Sequence, residues 1–357
     1  MKSISRIKKV SLRLATEADK HIPAYDNTKL QAINQCPTWG IIRYTHHKTM
    51  YSGGRNMALE MGSAAHEFFA AVRLWQLRHY QQQPDLADYH GYRLFGNARY
   101  SNMLNSIRAT QDERTQSLDF TLASLDGCGF YDDPNDRRRT LTNLEEACIA
   151  YVDRWDFNRM PVWVRNPGDV ESDVGIECPF DIVITFEMVD DSVVQYRFIG
   201  KMDGLHERDD ILYLHENKTA SRLDDSWRNS FLLSSQVTGY CIAVGVWAGR
   251  PVQNAEVYGM TVPLPKSYDY GGIVRETVTR HDYHFARWFD WFLHTVELDQ
   301  KYRNNIIDAP KYTHSCNRYF SSCQLIPFCD SSDEDQVEML KDMHVEEWSP
   351  LHETSGD

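Results

Sequence analysis

Apolar residues first recur at helical spacing between Thr28, a candidate N-cap, and Tyr44, where Leu30, Ile33, Ile41 and Ile42 form one stripe. Cys36-Pro37 interrupts the stripe, predicting one helix that ends at the cysteine and a second opened by the proline. Ala65, Phe68, Phe69, Val72 and Leu77 predict another helix over 64–77, with His66 in its first turn. Residues 80–165 are polar, with a turn-rich stretch from Asp126 to Arg139 and a helix expected from Leu144 to Trp155, and they read as a helical insertion. From Val174 the apolar period shortens to two. Strands are expected at 175–186, 193–199, 211–214 and 255–262, and helices over 231–247 and 281–302. Helix, sheet, helix, strand, helix is the order of an α/β domain whose mixed sheet is flanked by helices.

Composition narrows the class. The chain has 357 residues, 42% hydrophobic and 25% charged, which is globular usage. Its longest uncharged apolar run, Cys241 to Gly249, falls far short of the roughly 20 residues that span a bilayer. Residues 1–27 form a basic arm without the apolar run of a secretory signal, so a cytoplasmic protein with no membrane partner is expected. Net charge is −13, but ten acidic side chains and one lysine fall between Asp330 and Asp357. The body is therefore nearly neutral and compatible with a basic groove for DNA, while residues 331–357 read as a solvated acidic tail open to a protein partner.

The most informative segment runs from Gly200 to Ala220. With Asp209-Asp210 as a two-residue hairpin loop, Arg208 faces Ile211, and the same register sets Asp203 opposite Glu216. Opposed carboxylates destabilise a sheet unless something offsets them, and a divalent cation does so. Lys218 lies two residues beyond Glu216 and shares its face, while the Asn217 side chain points away. Without a cation the same residues would make a hairpin with solvated charges.

Asp203 followed by Glu216-Asn217-Lys218 resembles the Asp…Glu-x-Lys core of the PD-(D/E)xK nucleases, specifically their RecB-like exonuclease branch. Three further matches stand in the branch's order: Gly62-Ser-Ala-Ala-His66, Gln236-Val-Thr-Gly-Tyr240, and Cys36-Pro37 after a capped helix. The resemblance covers residues 28–330 and implies a restriction-endonuclease-like core. It implies a metal-dependent DNA nuclease in which His66, Asp203, Glu216 and the Asn217 carbonyl hold Mg²⁺ or Mn²⁺. Lys218 would assist the attacking water, and Gln236 and Tyr240 would contact the lysine region and the DNA. Glu177 is an optional extra acid that would either stabilise a second metal or, as the simpler expectation, be exposed on a sheet face. Arg222 and Arg228 are candidate phosphate contacts.

Cys316, Cys323 and Cys329 follow as Cys-x6-Cys-x5-Cys in polar sequence, a ligand loop in need of a fourth thiolate. In AddB-like and CRISPR-adaptation nucleases one cysteine before the core and three after it hold a [4Fe-4S] cluster, which here implies a clasp of Cys36 with the later three. The first interval is longer than the family's, which keeps zinc open as an alternative, with His314 able to replace one thiolate. Cys128, Cys148, Cys178 and Cys241 read as core residues. The expected activity is phosphodiester hydrolysis on linear single- or double-stranded DNA in recombination, repair or phage and CRISPR-type processing. The competing expectation is a catalytically silent DNA-end-binding module built around the metal clasp.

Overall fold

Four of the strand-forming runs do lie side by side, within a seven-stranded mixed sheet. A computed structural model describes residues 6–50, 56–264, 272–318, 321–347 and 351. The strands are β1 (Ile7–Leu14), β2 (Ala24–Tyr25), β3 (Lys48–Thr49), β4 (Ile176–Met188), β5 (Val193–Arg208), β6 (Ile211–Ala220), β7 (Asn254–Thr261), β8 (Ile273–Thr279), β9 (Asn317–Arg318), β10 (Ser321–Ser322) and β11 (His344–Val345). The helices are α1 (Asn27–Gln35), α2 (Pro37–Tyr44), α3 (Met57–Trp75), α4 (Pro84–Ser106), α5 (Glu113–Leu122), α6 (Leu141–Arg154), α7 (Asp225–Ser230), α8 (Ser235–Ala248), α9 (Asp282–Tyr302), α10 (Ile326–Cys329) and α11 (Asp333–Asp342).

The sheet runs β1-β4-β5-β6-β7-β8, with β2 added beside β5. β6 and β7 are parallel, as are β2 and β5, and the other neighbours are antiparallel. The β5–β6 hairpin turns on Asp209 and Asp210 at φ 52° and 60°, the doubly left-handed conformation of a two-residue loop that short polar side chains tolerate. Because β6 and β7 are parallel, the chain must cross over, and α8 makes the crossing. Helices α1, α8 and α9 pack on one face over Phe198, Leu205, Leu214 and Val257. On the other face α3 and α6 cover Tyr258 and Met260, and α4 and α5 pack outside α3. The 80–165 region is thus helical and braces α3.

Several expectations are corrected. The first helix is capped by Asp26, which accepts from the Lys29 amide, rather than by Thr28. The third starts at Met57, so His66 lies in its middle. Part of the basic arm is an edge strand, β1, whose Ile7, Val10 and Leu12 pack on the core. Strand β8 was not legible in the pattern. The acidic tail is not simply solvated: Met339, Leu340 and Met343 pack on Ile33, Ile41 and Ile42, and His344–Val345 pair with Lys48–Thr49. Carboxylates made the segment look soluble, but its apolar residues at helical spacing have a core to join. No helix among the described residues is long and apolar enough to cross a membrane.

Asp299 of α9 ties the start of the chain to this frame. Fully buried, it accepts from Tyr25 Oη at 2.8 Å and Thr45 Oγ1 at 2.5 Å, pairs with Arg303, and lies 3.9 Å from Lys29 Nζ. Burial alone would raise its carboxyl, but Lys29 and the hydroxyl donors outweigh that and hold it below the usual range. Asp299→Asn is expected to cost about 3 kcal/mol, because it leaves the largely buried Lys29 and the half-buried Arg303 without their carboxylate. A depressed carboxylate stabilises fully above its ordinary value near pH 4. Denaturant titrations should therefore show the deficit at pH 7, shrinking as pH falls below about 4. Truncation after Ser331 should also lower stability, since it uncovers the apolar cluster under Met339 and Met343, and thermal unfolding checks it.

Candidate functional site

β5 has different neighbours along its length. Arg197 and Phe198 pair with β2, whereas Gly204 to Arg208 pair with β6. β6 leaves β5 beyond His215 and continues along β7 to Ala220, so a notch opens with Asp203 on one wall and Glu216 on the other. On the opposite side of β5, Ile176 pairs with Gly204 and Cys178 with Met202, which sets Glu177 across from Asp203. Three acids therefore occupy adjacent positions on three strands.

Glu177 is the main correction to the sequence reading. It is buried rather than exposed, at φ 46°, a left-handed conformation that costs a non-glycine residue about 1–2 kcal/mol. The bend turns its carboxylate into the cluster. His66 Nδ1, from α3, lies 3.3 Å from Asp203 Oδ1 and 3.8 Å from Glu177 Oε1. One ligand atom from each of His66, Glu177 and Asp203 falls within 4.8 Å of the others. Gly62, one turn before His66, faces Thr219 of β6 with room for a methyl group, so close approach does not require glycine there.

The remaining candidates gather on Glu216 and Asp203. Lys218 Nζ is 2.8 Å from Glu216 Oε2, and Gln236 Nε2 of α8 donates to the same oxygen at 3.3 Å. The Asn217 amide donates to Asp203 Oδ2 at 2.7 Å, taking the place of a strand–strand bond where β6 diverges. Its side chain points to the opposite face, where Tyr151 Oη donates to it at 2.9 Å and His215 Nε2 lies 3.2 Å away. Tyr240, one turn after Gln236, packs edge-on against Phe180, 5.1 Å between ring centroids. Lys201, two residues before Asp203, sits 2.7 Å from Glu177 Oε2. Strand alternation from Asp203 was the available signal for it.

The electrostatics are those of a crowded acid cluster. Burial, reinforced by Asp203, pushes Glu216 up to about 7 against the pull of Lys218. Burial would lower His66 and Lys218, but facing carboxylates outweigh it and raise them to about 10 and about 12. Asp203 is held well below the carboxylate range by His66 and Lys218, against its own burial. Glu216 Oε1 is buried without a hydrogen-bond partner. An oxygen and imidazole donor set with an unpartnered buried oxygen suits a hard divalent cation.

Cys36, Cys316, Cys323 and Cys329 line one cavity of about 860 Å³, with Trp39 and Lys311 on its wall. Cys36 stands between α1 and α2, and the Cys323 amide donates to the Cys316 carbonyl at 2.7 Å. No three of these sulfurs lie within 4.8 Å of one another. Burial and the neighbouring thiols push Cys329 up to about 11. His314 lines the neighbouring groove rather than this cavity. Cys148, Cys178 and Cys241 are buried, whereas Cys128 is half-exposed. Arg228 lies 3.4 Å from Glu276, so it is engaged within the fold, and Arg222 is exposed beyond β6.

No family model and no curated protein matches the chain. Among solved structures, protein VC1899 from Vibrio cholerae is 12% identical over 71% of this chain, which spans 64% of that one. The TM-score of 0.16 carries no argument about either protein.

Glu177→Gln is expected to weaken Mn²⁺ binding at least about tenfold in calorimetric titration. Its circular dichroism should stay that of the parent, because the substitution keeps the side chain's size.

Proposed function

We propose that this chain is a divalent-metal-dependent deoxyribonuclease of the PD-(D/E)xK type, hydrolysing phosphodiester bonds in linear DNA. The convergence of His66, Glu177, Asp203, Glu216 and Lys218 where β6 leaves β5 carries the reading. The antiparallel β4-β5-β6 run followed by a parallel β7, with α8 crossing between, supports a restriction-endonuclease-like core.

His66, Glu177 and Asp203, whose ligand atoms fall together, would hold Mg²⁺ or Mn²⁺, with Glu216 across the notch as a further acid and the Asn217 backbone adjoining. The cation would polarise the phosphate and acidify a bound water. Lys218 keeps its charge at neutral pH and, anchored on Glu216, orients the attacking water and offsets charge growing on the phosphate. Gln236 holds the Glu216 carboxylate in place, and Tyr240, one turn on along α8, packs against Phe180. On the far side, Tyr151 and His215 restrain Asn217 and so keep its amide on Asp203.

Cys36, Cys316, Cys323 and Cys329 would hold a [4Fe-4S] cluster. Zinc–sulfur bonds of about 2.3 Å would draw four thiolates close around one ion. Zinc, which four thiolates also suit, is the alternative occupant. The clasp would add to the apolar contacts of Ile33 and Ile41 with Leu325 and Phe328, which already join the same segments. Recombination, repair or phage and CRISPR-type processing is the setting this chemistry serves.

The test is nucleotide release from labelled linear DNA, single- and double-stranded, by protein purified without oxygen. Release should require Mg²⁺ or Mn²⁺ and fall about 100- to 1,000-fold in Lys218→Ala. Equal release by that variant, or none from wild type that binds Mn²⁺, would overturn the reading in favour of a silent end-binding module.

A further inference from the structure

Within the Glu216-Asn217-Lys218 segment the Asn217 side chain faces away from the notch, and the residue is buried, 1% exposed. Two groups converge on its side-chain oxygen. Tyr151 Oη donates at 2.9 Å, and His215 Nε2, 3.2 Å away, donates in its Nε2–H tautomer. An amide oxygen has two lone pairs, so both are engaged and the plane of the carboxamide is fixed. The strand backbone that carries it is fixed as well. On the notch side that backbone donates the Asn217 amide to Asp203 Oδ2 at 2.7 Å, and it projects Glu216 and Lys218 from either side.

Tyr151 comes from α6, inside the helical insertion and 66 residues before Asn217. Its ring is seated in the apolar cluster under α3, with the Phe69 and Phe157 centroids at 4.8 Å and 5.7 Å and Phe68 at 6.3 Å. A phenylalanine would fill that space equally well. The hydroxyl is what packing does not require, and burying one costs free energy unless it is hydrogen-bonded. Burial also raises the phenol well above its ordinary value, so at neutral pH it keeps the proton it donates. The bond to Asn217 therefore joins the insertion to the acid cluster through the sheet. Phe69 also meets the His66 ring edge-on at 6.0 Å, so the cluster that seats Tyr151 backs His66 too.

We propose that Tyr151 is a positioning residue for the metal site. Its hydroxyl locks the Asn217 carboxamide, the locked backbone keeps an N–H on Asp203 Oδ2, and Asp203 presents its other oxygen to His66 at 3.3 Å. Without the hydroxyl, Asn217 keeps His215 alone on its oxygen and its carboxamide turns more freely. The amide then spends part of its time off Asp203, whose carboxylate leaves the orientation that faces His66 and Glu177. Groups that orient a metal ligand in this way set affinity by about tenfold or more. The insertion thus takes part in the metal site as well as bracing α3. The proposal rests on the metal reading of the notch and names a residue that acts on it without touching the ion.

The test compares Tyr151→Phe with wild type in the full chain by two readouts. In metal-free protein, hydrogen exchange followed by NMR should quicken about fivefold at the Asn217 amide relative to the Leu214 and Val257 amides of the same sheet. In calorimetric titration Mn²⁺ affinity should fall about tenfold. Asn217→Ala removes the acceptor of the same bond and should weaken Mn²⁺ to a similar extent, and the double variant no further, because both break one chain of contacts. It also serves where Tyr151→Phe proves unstable. Cys148→Ala, on the same helix and fully buried in the same cluster, lowers stability without touching Asn217 and should leave both readouts at wild type. Wild-type values for Tyr151→Phe in either readout would overturn the proposal and leave the metal reading standing. An equal loss in Cys148→Ala would overturn it too, by making Tyr151 a packing residue. Wild type that binds no Mn²⁺ would overturn the metal reading itself, and this proposal with it.

Discussion

Glu177, Asp203 and Glu216 stand at neighbouring positions on three adjacent strands, and like charges so placed repel unless other groups offset them. Much of the surrounding architecture meets that constraint. α3 brings the His66 ring between two of the acids, Lys218 and Lys201 bracket the outer pair, and the Asn217 amide is spent on Asp203 instead of the β5 ladder. One oxygen, Glu216 Oε1, remains buried and unpartnered. A cluster left one ligand short in this way gains most from a divalent cation.

The same constraint explains where the strands part. Were β6 to follow β5 beyond His215, Asp203 and Glu216 would be locked face to face at ladder distance. Instead β6 transfers to β7, whose burial on both faces makes it a rigid support, and the acids stand across a notch. Strain is concentrated there as well. Glu177 holds a left-handed backbone that nothing in its side chain favours, and the pairing of its buried carboxylate with His66 and Lys201 offsets the cost.

The two ends of the described chain meet at a second apolar cluster. α1 and α2 pack on the segment around Ile306, Leu325, Phe328 and Met343, and Asp299 draws in Tyr25, Lys29 and Thr45. The cysteine cavity sits at this junction, so a cluster held there would reinforce a closure that apolar contacts already make. α1 ends at this junction and also walls a groove that reaches α8, so its position affects both places.

The sequence by itself determined the α/β order, the helix break at Cys36-Pro37 and the Asp203–Glu216–Lys218 grouping. Those depend on local periodicity and on a two-residue loop, Asp209-Asp210, too short to permit another register. The burial of Glu177 beside Asp203 was out of reach, and it stood only as an optional acid, because the turn joining β4 to β5 spans several residues and leaves the register open until the sheet is assembled. β1 and β8 were likewise invisible, since an edge strand shows only half an apolar pattern and its pairing is long-range. The acidic tail misled because charge density dominated its composition, while Met339 and Met343 find their partners only once residues 300 positions earlier have folded. Tertiary structure alone decided which acids meet, which histidine joins them and which helix faces enclose a groove, because each depends on elements brought together from distant parts of the chain.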